Sequence, residues 1–272
     1  MENKSEIEVW YDEKYDEWNR LNRHRIEFEI TKRYFNQYIP QGKMKILDAG
    51  GGPGRYSIYL AKKGHDVTLM DLSQKNVDVA LEKAQECGAT LTKAVKGNAL
   101  DLHEFDNDYD VILLMGPLYH LLEKEQRVQA IEQAKEHLKP NGLLVAAFIS
   151  AYAPIQDYLT FMSEGFESDK EAADLLHYLK DGRNVEDSPE ANQGFTTAYF
   201  TGIAEAKELM QSCGFTEKVF AGVENIAGCK EEQFLQLSEE NQNRWLNIVW
   251  ELSRDSNVYG TSQHFLYIGN KS

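Results

Sequence analysis

Cysteine is scarce in this chain, with only Cys87, Cys213 and Cys229 among 272 residues. The count is odd, the spacing is wide and no CxxC pair occurs, so neither a disulfide framework nor a zinc site is supported, and no metal is expected. Reduced thiols fit a cytoplasmic setting. Long apolar runs are lacking too. Nothing approaches the ~20 residues that cross a bilayer, and the opening Met1-Glu2-Asn3-Lys4-Ser5-Glu6 has neither the basic start nor the apolar core of a signal peptide. Positive charge is thin: 29 basic residues face 44 acidic ones, the formal net charge is -15, and the longest basic run is Lys62-Lys63. Such a surface repels phosphate backbones, so neither nucleic acid nor membrane is an expected partner. Repeats and low-complexity tracts are also absent.

What the chain does contain is a rhythm. Trp10, Tyr11, Tyr15, Trp18 and Leu21 recur at helical steps, which predicts a helix over residues 7–39, stopped by Pro40-Gln41-Gly42. Short strands are then expected up to Asp48, over 65–73, 90–98 and 109–116, and over 143–150 after the stop Pro140-Asn141-Gly142. Helices fall between them, notably at 77–88 and 123–138. Alternation with short connections is the pattern of an α/β fold, an open parallel sheet with helices on both faces. The rhythm breaks over 151–200, where eight aromatics (Tyr152, Tyr158, Phe161, Phe166, Tyr178, Phe195, Tyr199, Phe200) crowd into a stretch without clear period. That density reads as an inserted cap. The rhythm resumes with a helix at 204–214, a strand at 215–223, a helical stretch at 243–253 and a last strand at 263–269. The expected division is an N-terminal helical cap (1–40), a core (41–150 and 201–272) and an inserted substrate cap (151–200).

The densest signal is ILDAGGGPGRYS, residues 46–57, with four glycines in five positions after an apolar run. Glycine loses more freedom on ordering than any other residue, so such a cluster implies a close approach or a turn that side chains cannot follow. In open α/β sheets that place, beyond the carboxyl end of the first strand, is where ligands bind. A phosphate loop is excluded because GxxxxGK[ST] is not met, and a dinucleotide GxGxxG fails because Arg55 or Ser57 stands at the third glycine. What fits is an acid followed by glycines, Asp48-Ala49-Gly50-Gly51-Gly52-Pro53-Gly54, with a second acid, Asp71, at the end of the next strand. An acid at about that spacing (~20 residues on) accepts hydrogen bonds from ribose hydroxyls. The expected ligand is a nucleoside without a diphosphate.

These residues, with KGNALDL and NGLLVAAF, resemble a class I S-adenosylmethionine-dependent methyltransferase, of the small-molecule type with a helical cap. The resemblance covers about residues 43–150, with matching elements after 200. It implies a Rossmann-like, doubly wound sheet, mostly parallel with an antiparallel final strand, and S-adenosylmethionine as cofactor. It also implies cofactor contacts. Asp48 opens the loop whose Gly50, Gly51 and Gly52 pass under the methionine part; Asp71 takes the ribose hydroxyls and Leu72 packs on the adenine. Asn98, where many relatives have Asp, and Ala99 meet the adenine edge, Met115 sits beside the sulfonium, and Tyr11 and Tyr15 close over it.

Methyl transfer from a sulfonium is a direct displacement, so alignment and exclusion of water matter most, and a base is needed only for a protonated nucleophile. The loop GPLYHLL, 116–122, places Tyr119 and His120 at the carboxyl edge as candidate catalytic residues, with His120 as general base or as a positioning group. No NPPY-type tetrad occurs. The aromatic cap suggests a small, partly apolar acceptor; a homodimer is compatible with the sequence. A cofactor-binding sensor without catalysis and a nucleotide-dependent oxidoreductase are the alternatives.

Overall fold

In the computed structural model, residues 4–160, 168–185 and 196–272 are described. The chain begins with α1 (Glu6–Val9), a π-helical turn (Trp10–Lys14), α2 (Glu17–Arg23) and α3 (Arg25–Tyr38). The single helix expected over 7–39 is therefore in pieces. Tyr15 is extended, and Asp16 caps α2 by accepting from Asn19 N at 3.2 Å. His24 also leaves helical geometry (φ -107°, ψ 60°), and Glu231 Oε1 accepts from Ile26 N at the new helix start. Each break exposes orphan N–H groups and supplies an acceptor for one of them. The spacing of apolar residues carries no trace of such local exchanges.

There follow β1 (Lys45–Ala49), α4 (Arg55–Lys62), β2 (Asp66–Asp71), α5 (Gln74–Glu86), β3 (Lys93–Lys96), β4 (Tyr109–Leu114), α6 (Lys124–His137) and β5 (Leu138–Ser150). The strands pair in parallel in the order β3-β2-β1-β4-β5. β5 starts earlier than residue 143 because Pro140-Asn141-Gly142 form an irregularity within the strand rather than a stop. Asn141 takes a φ of 60°, and the register with β4 slips between Tyr109 and Val111.

Beyond β5 lie α7 (Ala153–Thr160), α8 (Asp169–Asp181), β6 (Arg183–Asn184), β7 (Ala198–Thr201), α9 (Ile203–Ser212), β8 (Phe215–Gly222), α10 (Glu231–Leu235), α11 (Glu239–Leu252) and β9 (His264–Lys271). β9 runs antiparallel to β5 and to β8, as the resemblance implies for the final strand. The stretch without clear period thus holds two helices, and its end joins the sheet: Ile149 and Ser150 of β5 pair with Phe200 and Thr201. Phe161, Phe166 and Phe195 lie outside the described residues.

Alternation along the strands explains why they read as continuous apolar runs. Val111, Leu113, Leu143 and Val145 pack with Ile30, Tyr34 and Phe35 of α3 on one face. Ile112, Leu114, Leu144 and Ala146 pack with Ile131 and Ala134 of α6 and Leu209 and Met210 of α9 on the other. A strand covered on both faces needs apolar side chains at every position. Among the described residues, no helix is long and apolar enough to cross a membrane.

Candidate active site

A cavity runs along the carboxyl edge of the sheet. Its floor is the loop after β1. Gly50 has a φ of 85°, and its N–H donates to Met70 O at 2.7 Å, bringing it against β2. A Cβ on Gly50 would stand 2.5 Å from the Pro117 ring, so the loops after β1 and β4 close on each other only through glycine. Asp48 lies beneath, 1% exposed, with Ser57 Oγ donating to Oδ2 at 2.6 Å and no partner on Oδ1. Burial raises its pKa to about 7, Ser57 opposing.

Asp71 closes the corner. Gly52 N donates to its Oδ2 at 2.7 Å, while Ser73 N and Asn76 Nδ2 donate to Oδ1 at 3.0 and 3.1 Å. Burial raises its pKa and these bonds oppose the shift. Asp71 therefore staples the glycine loop to β2 as well as facing the cavity, and Oδ2, with one donor, keeps acceptor capacity for a hydroxyl. Leu72, Asn98, Ala99 and Met115 line the same cavity. Asn98 is exposed and turns its Oδ1 toward Leu100 N at 3.0 Å. These features fit an adenosine: an acid with spare acceptor capacity, an amide and a glycine floor.

The N-terminal segment straps the opening. Glu8 pairs with Lys96 at 2.6 Å, Asp12 accepts from Ser73 Oγ at 2.5 Å, and Thr197 Oγ1 donates to Glu6 at 3.1 Å. Tyr11, in the π-helical turn, lines the cavity and meets His120 Nε2 through its hydroxyl at 2.8 Å. Tyr15 is not among the lining residues; it stacks on Trp10 with centroids 5.8 Å apart. Tyr119 and His120 do line the cavity, but His120 is not placed as an unencumbered base. Thr197 O, 3.0 Å from Nδ1, can only accept, so Nδ1 carries the proton and Nε2 takes the Tyr11 hydroxyl hydrogen. Burial lowers the His120 pKa to about 4, the Thr197 bond opposing. At neutral pH it is an uncharged link between the strap, the loop after β4 and the segment entering β7.

At the far end stands an ionic cluster that the sequence reading misses. Arg20 of α2 donates to Glu27 of α3 through both Nη atoms, at 3.3 and 2.8 Å, and Nη2 lies 3.0 Å from His264 Nε2. Glu224, in the turn after β8, holds His264 by its Nδ1 at 2.5 Å and by its backbone N at 3.0 Å. Burial opposes the charge on His264, but Glu27 and Glu224 raise its pKa; burial likewise opposes Glu27, which Arg20 and His264 pull well below the carboxylate range. Glu27, Glu224 and His264 have the makeup of a metal site. Arg20 already occupies the cation's place between Glu27 and His264. These residues come from four separate segments in no motif, and the only local signal is the mixed charge within the N-terminal apolar pattern.

The methyltransferase domain family matches residues 46–142, from β1 to the irregularity in β5. Over residues 46–142, then, this chain carries a methyltransferase domain. The ubiquinone biosynthesis O-methyltransferase of Rickettsia prowazekii is 33% identical over 156 residues, 53% of this chain and 58% of that protein. The chain thus spans little more than half the length of that relative. A S-adenosylmethionine-dependent methyltransferase from Methanosarcina mazei shares the fold with a TM-score of 0.58 at 19% identity, over 88% of this chain and 96% of the other. The magnesium protoporphyrin IX methyltransferase of Synechocystis, solved with S-adenosylhomocysteine, does so with a TM-score of 0.58 at 14% identity, over 99% and 100%. The glycine loop, Asp71 and Asn98 all fall within the segment matched to the methyltransferase domain family.

Proposed function

We propose that the chain transfers a methyl group from S-adenosylmethionine to a small, partly apolar acceptor, leaving S-adenosylhomocysteine. The observation that carries this reading is the stapled corner: the glycine loop and Asp71 already share hydrogen bonds, with acceptor capacity left on Asp71 Oδ2. In it Asp71 takes a ribose hydroxyl, Asn98 and Ala99 meet the adenine, and Leu72 packs on its face. Met115 borders the sulfur, and Asp48, buried under the loop, fixes its shape through Ser57.

The bound cofactor supplies an electrophilic methyl on a good leaving group. The chain's own residues align the acceptor and keep water out. Tyr119 and Tyr11 form the apolar walls, and His120 positions Tyr11 rather than withdrawing a proton, since a group whose pKa lies near 4 is a weak base at neutrality. Because the Rickettsia relative is named an O-methyltransferase, hydroxylated aromatics are the first acceptors to try. The reading further assigns the chain to the cytoplasm, with no nucleic-acid partner. Calorimetry with S-adenosylhomocysteine tests the cofactor, and mass spectrometry of an acceptor panel tests the transfer. Absence of binding to S-adenosylhomocysteine would refute the function.

A further inference from the structure

A phenolic hydroxyl, with a pKa of ~10, reaches the cavity at neutral pH with its proton on, and its methylation then calls for a base. His120 is ill placed for that work, because a neutral carbonyl holds its Nδ1 and the Tyr11 hydroxyl covers its Nε2. Among the described residues lining the cavity, the other histidine is His264.

His264 opens β9, and its backbone pairs with Ile149 of β5, so it stands on the sheet rather than on a loop. Glu224, 1% exposed, grips it twice, accepting from its backbone N at 3.0 Å and holding Nδ1 at 2.5 Å. Nε2 lies 3.0 Å from Arg20 Nη2. A guanidinium only donates, so Nε2 is the accepting nitrogen and the ring proton sits on Nδ1, against Glu224. A carboxylate there fixes the tautomer and stabilises the imidazolium that forms when Nε2 takes a proton. The surrounding charges act in the same direction. Glu27 of α3 lies 3.7 Å from Nδ1. Burial opposes a charge on His264; Glu27 and Glu224 favour it, and Arg20 counters them. Of the other groups that face the ring, Glu17 and Asp157 are raised by burial, Glu17 to about 7, and His24 is lowered to about 4 by burial and then by Arg20. Two carboxylates, Glu27 and Glu224, face one guanidinium, so a proton on His264 balances the cluster.

We propose that His264 is the general base for a hydroxyl acceptor, with Glu224 as the positioning residue that fixes its tautomer. The acceptor oxygen gives its proton to Nε2 as it bonds to the methyl carbon. The sulfur–methyl bond breaks with its electron pair left on sulfur, and the positive charge passes from sulfonium to imidazolium. Arg20 is held on Glu27 through both Nη atoms, so its hydrogen bond to Nε2 can pass to the incoming oxygen without releasing it from α3. His264 and Glu224 both lie outside residues 46–142, so the domain match implies neither role.

This assignment rests on the methyl-transfer reading and narrows its acceptor to oxygen. Label transfer from S-adenosylmethionine at pH 8 tests it with two probes: phenol, which arrives protonated, and 4-nitrophenol, which is largely ionised. His264→Gln should slow methylation of phenol by ~10²–10⁴-fold, while 4-nitrophenol, which needs no base, should change by less than about threefold. Glu224→Gln should slow phenol by at least ~10-fold and move the acidic limb of its kcat profile to lower pH. Nitrogen NMR of histidine-labelled protein supplies a readout without turnover. It should place the His264 proton on Nδ1 and show the ring titrating above ~6.5 in the wild type and lower in Glu224→Gln. That reading uses the wild type, so it stands even if His264→Gln melts early. Equal losses on the two phenols, a His264 that lacks the Nδ1 proton, or a wild type that binds S-adenosylhomocysteine yet methylates neither phenol would overturn the assignment. A wild type that does not bind S-adenosylhomocysteine would refute methyl transfer itself.

Discussion

At the nucleoside end of the cavity, Gly50, Asp71 and Asn98 each stand at or just beyond the end of a strand, and the backbone does much of the shaping. At the other end, Glu17, Arg20, Glu27, Glu224 and His264 arrive from α2, α3, the turn after β8 and β9, and meet mainly through side-chain atoms. The first end resists chemical variation because glycine is required where a Cβ would strike Pro117. The second depends on side chains, which can be exchanged one at a time. The contrast separates what a methyltransferase domain must keep from what it is at liberty to change.

Breaking the first end should produce the largest effect. Gly50→Ala forces a Cβ into Pro117 at a φ of 85°, and strain of this kind costs about 1–3 kcal/mol. Affinity for S-adenosylhomocysteine should fall by up to ~100-fold by calorimetry, with a lower melting temperature. Asp71→Ala should come next. It removes the acceptor for Gly52, Ser73 and Asn76 as well as for a ribose, so a drop in melting temperature should accompany a roughly tenfold loss of affinity. A loss of affinity with an unchanged melt would show that the staple contributes nothing to stability.

Asp48→Asn sharpens the comparison through pH. The folded pKa of Asp48 lies above its unfolded value, so its contribution to stability is fully present below about pH 4 and is lost as pH rises through about 7. Denaturant titrations of the asparagine variant should therefore show a shallower fall in stability between pH 4 and 8 than the wild type. The smallest effect belongs to the strap. Tyr11→Phe removes the hydroxyl on His120, worth about 0.5–1.5 kcal/mol, and should speed proteolysis near residues 5–15. If His120→Ala instead slows turnover by ~10²–10⁴-fold, it acts as a base after all.

The sequence made the first end legible because its constraints are local. A glycine run after an apolar run, and an acid at the end of the next strand, are facts about neighbours in the chain. That β1, β2, β4 and β5 run parallel follows from the same short-range alternation. The helix breaks at Tyr15 and His24 were not legible, because they depend on Asp16 and on a distant Glu231 supplying hydrogen-bond acceptors. Nor was the quenching of His120, whose Nδ1 is claimed by a carbonyl 77 positions away. Helical spacing placed Tyr11 and Tyr15 on one helix as a pair; the π-helical turn sends only Tyr11 into the cavity. The Arg20 cluster is a fact of tertiary structure alone.

That π-helical turn, Trp10–Lys14, closes with Tyr15 N bonding to Trp10 O at 3.1 Å. Anchors hold it on one side and from within: Glu6 and Glu8 before it, on Thr197 and Lys96, and Asp12 inside it, on Ser73. A substitution there changes one contact. A one-residue deletion would instead rotate everything downstream by about 100°, the angular step of a regular helix, and take Tyr11 and Asp12 off their partners together. Length, rather than side-chain chemistry, is then the parameter by which this segment is tuned, and insertions and deletions among its homologues would carry more information than amino-acid exchanges.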